Sequence, residues 1–214
     1  MTDPLTHWQG VYARRPPEAV SWYEQIPTRS LDLIRATEVD RGAPILDVGG
    51  GASTLVDHLL ADGFTEITVL DIAAVSLEIA RQRLGSRAAA VTWLTEDIRS
   101  FRSERQFVVW HDRVVFHFLT DPADRQQYLT SLRGALQESG HVILATFGPD
   151  GPTSCSGLRI QRYSAEDLSA FLGPDFVLRE SHLDTHTTPA GSTQQLMYGR
   201  WQRVPADPRK PQVE

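Results

Sequence analysis

The stretch Ile45–Leu55, ILDVGGGASTL, decides the fold. A short, largely apolar run carrying Asp47 meets three consecutive glycines, Gly49, Gly50 and Gly51, and then a helical pattern beginning near Ser53 or Thr54. Glycines between a buried strand and a helix permit positive φ and let a ligand approach the backbone with no Cβ in the way. The helix start points free N–H groups and a positive dipole end into the same space. A G-x-G-x-x-G dinucleotide fingerprint needs glycine at 49, 51 and 54, and position 54 is Thr. Asp47, ahead of the glycines, repels a pyrophosphate and suits a ligand with an ammonium group. A plain tight turn from strand to helix is the competing reading.

Outward from this stretch the chain alternates two periodicities. Strand-like runs at Ile45–Val48, Ile67–Leu70, Val91–Leu94, Phe107–Trp110 and Val142–Thr146 are mostly apolar on both faces, as in a parallel sheet covered on each side. Helical patterns separate them. One spans about Thr28 to Glu38, one carries Ala73, Leu77, Ala80 and Leu84 on a single face, and one opens at Asp121-Pro122 and is expected to stop at Gly140. A short helix near Ser164–Leu172 follows, then two long strand-like segments, Phe176–Asp184 and Gln195–Arg203, joined as a hairpin. The expectation is an α/β fold: a doubly wound, mostly parallel, seven-stranded Rossmann-like sheet with a C-terminal antiparallel hairpin at one edge. Residues 1–203 are expected to form one domain, with 204–214 a proline-rich disordered tail.

In such sheets ligands bind beyond the carboxyl ends of the strands. Two further acids belong there. Asp71, twenty residues after Gly51, either accepts ribose hydroxyls or caps the next helix. Asp97, with Ile98, either pairs with an adenine amino group while Ile98 packs on the ring, or is a solvated loop acid. Three acids at three successive strand ends converge on one crevice.

This ordered set resembles the class I S-adenosylmethionine-dependent methyltransferases over roughly residues 28–203. The departure is Ser53, where the family's loop often carries its last glycine. The resemblance implies a methyltransferase using S-adenosylmethionine and releasing S-adenosylhomocysteine. It implies cofactor contacts from Trp22, Asp47, Gly49, Gly50, Gly51, Asp71, Ile72, Asp97, Ile98 and His111. Residues 1–27, rich in aromatics (Trp8, Tyr12, Trp22, Tyr23), are expected to form a lid; packing of these rings onto the sheet is the alternative. Arg14 or Arg15 is a candidate partner for the cofactor's carboxylate.

His111, Asp112 and Arg113 directly follow the fourth apolar run, where acceptor would meet methyl donor, and are the candidate catalytic residues. The Asp-Arg pair is similar to one after strand four in thiopurine-type small-molecule methyltransferases. Alternatively these residues pair among themselves or pack. Tyr23, His117, Arg159 and Tyr163 are candidate substrate contacts. Cys155 has no base placed beside it by sequence, and direct transfer from a sulfonium needs no protein nucleophile. No His, Asp or Cys grouping has metal-ligand spacing, so no metal is expected.

Bulk properties narrow the partners. The 214 residues are 41% hydrophobic and 22% charged, with net charge −6, which argues against a general nucleic-acid binder. No apolar run reaches the length of a membrane span. One cysteine fits a reducing cytoplasm. Lys210 is the only lysine against many arginines, a codon-bias trait of a GC-rich, bacterial genome. A small-molecule acceptor is expected, with a protein lysine or terminal amine as the runner-up. A nicotinamide-dependent oxidoreductase or a non-catalytic nucleoside-binding module stands behind both. Oligomeric state is not legible.

Overall fold

A computed structural model describes residues 3–204. The tail expected at 204–214 lies, Val204 apart, outside them. The chain enters through helix α1 (Pro4–Arg14), whose start combines an Asp3 cap on the Thr6 N–H (3.0 Å) with proline in the first turn. Helix α2 (Thr28–Arg35) follows, three residues shorter at its end than the periodicity predicts. Then β1 (Ile45–Val48), α3 (Leu55–Ala61), β2 (Ile67–Asp71), α4 (Ala74–Leu84), β3 (Val91–Thr95) and β4 (Phe107–Arg113) alternate. Helix α5 (Pro122–Ala135), β5 (Leu136–Phe147), a two-residue-per-strand hairpin β6 (Ser154–Cys155) and β7 (Leu158–Arg159), α6 (Ala165–Leu172), β8 (Phe176–Thr187) and β9 (Thr193–Arg203) complete it.

The main sheet has the order β3-β2-β1-β4-β5-β9-β8. The first five are parallel; β9 runs antiparallel to β5, and β8 to β9. This is the expected seven-stranded, mostly parallel sheet with its C-terminal hairpin at one edge. The order reverses between β1 and β4, which opens a crevice at their carboxyl ends. Both faces are buried, as the apolar strands require. Along β5, Ile143, Ala145 and Phe147 join one core with Leu33, Ile34, Leu55 and Leu59, while Val142 and Leu144 join the other with Trp110, Tyr128, Leu132 and Trp201.

Gly140 does not end α5. The helix stops at Ala135, because Leu136 turns extended (φ −93°, ψ 130°), buries completely and pairs with Phe107. Burying a leucine outweighs one more helical turn. Gly140 serves the irregular entry of β5, where Ser139 takes φ 65° and a Cβ at 140 would lie 3.0 Å from the Gln137 carbonyl.

One buried polar chain crosses the second core. Trp110 Nε1 donates to the Tyr128 hydroxyl (2.9 Å), which donates to Asp112 Oδ2 (2.7 Å). Tyr128→Phe would leave both neighbours without that partner in a dry core. Its unfolding free energy in urea should drop by about 1–3 kcal/mol with an unchanged denaturant slope.

Candidate functional site

The carboxyl ends of β1 to β4 wall a cleft of about 980 Å³, its open mouth included. Gly49 contributes from the β1 loop, Asp71 and Ile72 from the end of β2, Asp97 and Ile98 from the end of β3, and Arg113, Val114 and Val115 from the end of β4. The N-terminal segment roofs it with Pro4, Trp8, Tyr12 and Trp22. These rings meet edge to face: Trp8 lies 4.9 Å from Phe118 and 5.8 Å from Trp22, and Tyr12 lies 6.3 Å from Trp22.

The glycines are required by close approach. Gly49 has φ 64° and Gly51 φ 41°. A Cβ on Gly51 would come within 2.6 Å of Asp71 Oδ2. A Cβ on Gly50 would overlap Asp47 Oδ2, beneath the loop. Ser53 Oγ accepts the Leu55 N–H at 3.2 Å, which explains serine at that position. Arg83, reaching over from α4, donates to the carbonyls of Ala52 (2.7 Å) and Ser53 (2.6 Å) and holds the loop's far side.

Asp71 has one oxygen on the Ala73 N–H (2.8 Å), so the capping reading holds for Oδ1. The carboxylate still faces the cleft. Burial pushes its pKa up to about 6. Asp97 differs. Burial alone would raise it, but the fork of Arg99 (Nη2 to Oδ2 2.6 Å) more than offsets this and holds it below the usual carboxylate range. Arg99 also reaches Asp124 at 3.1 Å.

Asp47 and His111 do not reach the cleft. Asp47 sits opposite His111 in the sheet register and binds its Nδ1 at 2.8 Å; the other ring nitrogen meets Ser30 Oγ at 2.9 Å. The Ser–His–Asp connectivity is that of a hydrolytic relay. All three are buried, however, and none lines the cleft, so its work is to fix the carboxylate under the glycine loop. Asp112 is fully buried, raised to about 6 by burial, and accepts the N–H groups of Val115 and Phe116 along with the Tyr128 hydroxyl. It ties down a strained turn: Val114, a β-branched residue, sits at φ 62°.

Arg113 is the charged residue of the trio that faces the cleft. It donates to the Trp22 carbonyl (2.7 Å) and the Tyr198 hydroxyl (3.1 Å), and pairs with Glu24 (2.9 Å). Glu24 also meets His186 Nδ1 at 3.3 Å, while His186 Nε2 donates to the Ser21 carbonyl at 2.8 Å. Burial alone would raise the Glu24 pKa; His186 and Arg113 more than offset it and hold it below its ordinary value. This latch is therefore complete above the ordinary glutamate range and weakens as pH falls through the depressed value.

The remaining candidates lie elsewhere. Tyr23 lines a smaller cavity beside the cleft with Glu24, Ser53 and Arg113. His117 is fully buried against Phe118 and Phe147, and burial pushes its pKa down to about 3. Arg159 and Tyr163 line a separate outer groove, and Tyr163 packs on Phe116. Arg14 and Arg15 are exposed. Sequence reasoning passed over Leu158, Leu119 and Arg99 as cleft residues. Only Arg99, two residues after Asp97, carried a local signal.

Residues 45–140 match a family described as a methyltransferase domain. A malonyl-[acyl-carrier protein] O-methyltransferase of Anoxybacillus flavithermus is 34% identical over 106 residues, 49% of this chain and 39% of that protein. The chain thus spans well under half of that relative's length. EEF1A lysine methyltransferase 2 of Danio rerio is 25% identical over 187 residues, 80% of this chain and 74% of that one. In the solved structure of an S-adenosylmethionine-dependent methyltransferase from Anabaena variabilis, the fold matches with TM-score 0.74 at 18% identity, over 95% of this chain and 96% of that one.

Glu24→Gln removes the charge at the centre of the latch. Amide exchange across residues 17–27 should then quicken roughly tenfold, a loss of about 1.4 kcal/mol, with β1 and β4 unchanged.

Proposed function

We infer, from a chain whose residues 45–140 match a methyltransferase-domain family and whose sheet has the order of the class I S-adenosylmethionine-dependent methyltransferases, that it transfers a methyl group to a small-molecule acceptor. The observation that carries this reading is the enclosed cleft at the sheet's reversal point, with a glycine loop on one side and Asp71 and Asp97 on the next two strand ends.

The residues present fit the cofactor. Asp71 Oδ2, off the Ala73 N–H and beside the Ser76 hydroxyl, is the oxygen for ribose hydroxyls, next to a loop where Gly51 leaves the room a Cβ would fill. Ile72, Ile98 and Leu119 give apolar walls for a ring. Bound there, the sulfonium supplies a methyl already activated for in-line displacement. The protein's own part is to align the acceptor and exclude water. The aromatic roof and the Arg113–Glu24 latch close the cleft over the reacting atoms. We assign Trp22, Gly49, Gly50, Gly51, Asp71, Ile72, Asp97 and Ile98 to cofactor binding, with Asp47 and His111 acting from beneath the loop. Arg113 is the candidate to contact acceptor or cofactor; Asp112 holds the turn that presents it. The aromatic roof over the cleft favours a small acceptor, with Tyr23 in the smaller cavity beside it.

A protein amine is the second reading. It is supported by the Danio rerio lysine methyltransferase, whose match covers 80% of this chain and 74% of that one. Incubation with methyl-labelled donor and cell extract separates the two: label in the small-molecule fraction supports the first, label in protein the second.

Calorimetry with S-adenosylhomocysteine should show binding; a folded protein that binds none at high micromolar concentration overturns the reading. Asp71→Ala should weaken it at least tenfold. Ribose hydroxyls require the ionised carboxylate, so affinity should rise with pH through about 6 and level off above. At pH 5 only about a tenth of Asp71 is ionised, which predicts roughly tenfold weaker binding than at pH 7.5 and a flat profile in Asp71→Asn.

A further inference from the structure

Of the four residues that roof the cleft, Tyr12 alone carries a hydroxyl. It stands near the end of α1, its ring edge to face with Trp22 at 6.3 Å and an interplanar angle of 80°. It lines the cleft together with Asp71 and Ile72, and the smaller cavity beside it together with Ala52 and Ser53. The side chain therefore lies where the glycine loop meets the end of β2. Its hydroxyl oxygen takes the Trp22 indole N–H, while Asp71 acts on it through charge alone, with no hydrogen bond between them. The Tyr12 proton is left unspent. Burial, and after it the Asp71 charge, push the phenol well above its ordinary pKa, so at neutral pH it stays a donor.

We propose that Tyr12 and Asp71 clamp the ribose of the methyl donor from the roof and from the wall: one ribose hydroxyl donates to Asp71 Oδ2 and accepts the Tyr12 O–H. A hydroxyl has one hydrogen to give and lone pairs to receive with. An ionised carboxylate only accepts. A phenol whose oxygen already holds the Trp22 N–H has its hydrogen to give. The two groups are the complementary halves of a site for one hydroxyl. Gly51 fits the same arrangement, since a Cβ there would come within 2.6 Å of Asp71 Oδ2 and crowd that hydroxyl out. The clamp rests on the cleft being the S-adenosylmethionine site. It gives the roof a share in holding the donor, beyond excluding water.

Calorimetry of the full chain with S-adenosylhomocysteine and its 2′-deoxy and 3′-deoxy analogues tests the clamp. Tyr12→Phe keeps the ring and removes the hydroxyl. It should weaken S-adenosylhomocysteine roughly fivefold, the worth of one neutral hydrogen bond. Toward the analogue that lacks the clamped hydroxyl, Tyr12→Phe and the unaltered protein should agree within about twofold. Unchanged affinity for S-adenosylhomocysteine in Tyr12→Phe overturns the proposal and leaves the cofactor reading standing. An equal loss toward all three ligands also overturns it, because the Tyr12 proton then goes elsewhere. If the unaltered protein binds no S-adenosylhomocysteine, the cofactor reading fails and the clamp with it. A crystal structure of the unaltered protein with S-adenosylhomocysteine needs no variant: Tyr12 Oη should lie about 3 Å from a ribose hydroxyl oxygen, and a separation beyond about 4 Å overturns the proposal.

Discussion

A buried guanidinium needs partners on several sides, and Arg113 takes them from two separate parts of the chain and so joins both to its own strand. It stands at the end of β4, donates into the segment that roofs the cleft, and rests on Tyr198 of the C-terminal hairpin. An unpaired charge there would cost several kcal/mol. The roof, the central strand and the hairpin are thereby held to one geometry. Asp112 and Val114 on either side serve the same point: one caps the turn, the other bears its strain.

Asp71 and Asp97 occupy equivalent places on neighbouring strands and are treated oppositely. Asp97 has a guanidinium two residues away that keeps it charged. Asp71 has the Ala73 N–H and the Ser76 hydroxyl as partners, and burial raises its pKa to about 6. The first is a fixed wall and the second is the responsive group. The strand periodicity alone does not separate them; the arginine at 99 does.

Contiguous signals made most of the fold legible. Apolar runs of four to five residues marked the five parallel strands, and two long strand-like segments with a short connection marked the hairpin. Helix α1 went unread although Asp3-Pro4 carries the same start signal as Asp121-Pro122, because its weakly apolar face buries only Val11 fully. Gly140 misled because a glycine after a helical pattern reads as a stop, whereas burial of Leu136 had already ended the helix. At the site, the glycine loop, Asp71, Ile72, Asp97, Ile98 and Arg113 were visible as strand-end residues. The retreat of His111 was not, since it depends on Ser30, eighty-one positions away, accepting or donating at its second nitrogen. Leu158 and the latch through His186 are likewise products of long-range packing that no local pattern encodes.

The roof is made near the amino terminus, yet its fastenings lie near the other end. Arg29 bonds Asp184 across 155 positions, and His186 bonds the Ser21 carbonyl across 165. A ribosome releases the chain from the amino end, so the segment over the cleft, though it meets Phe118 and Arg113 earlier, is fully fastened only when β8 has emerged. Long-range closures of this kind are slow and come late. The sheet can assemble strand by strand, but the roof over the cleft is held at both of its ends only once β8 has joined the sheet.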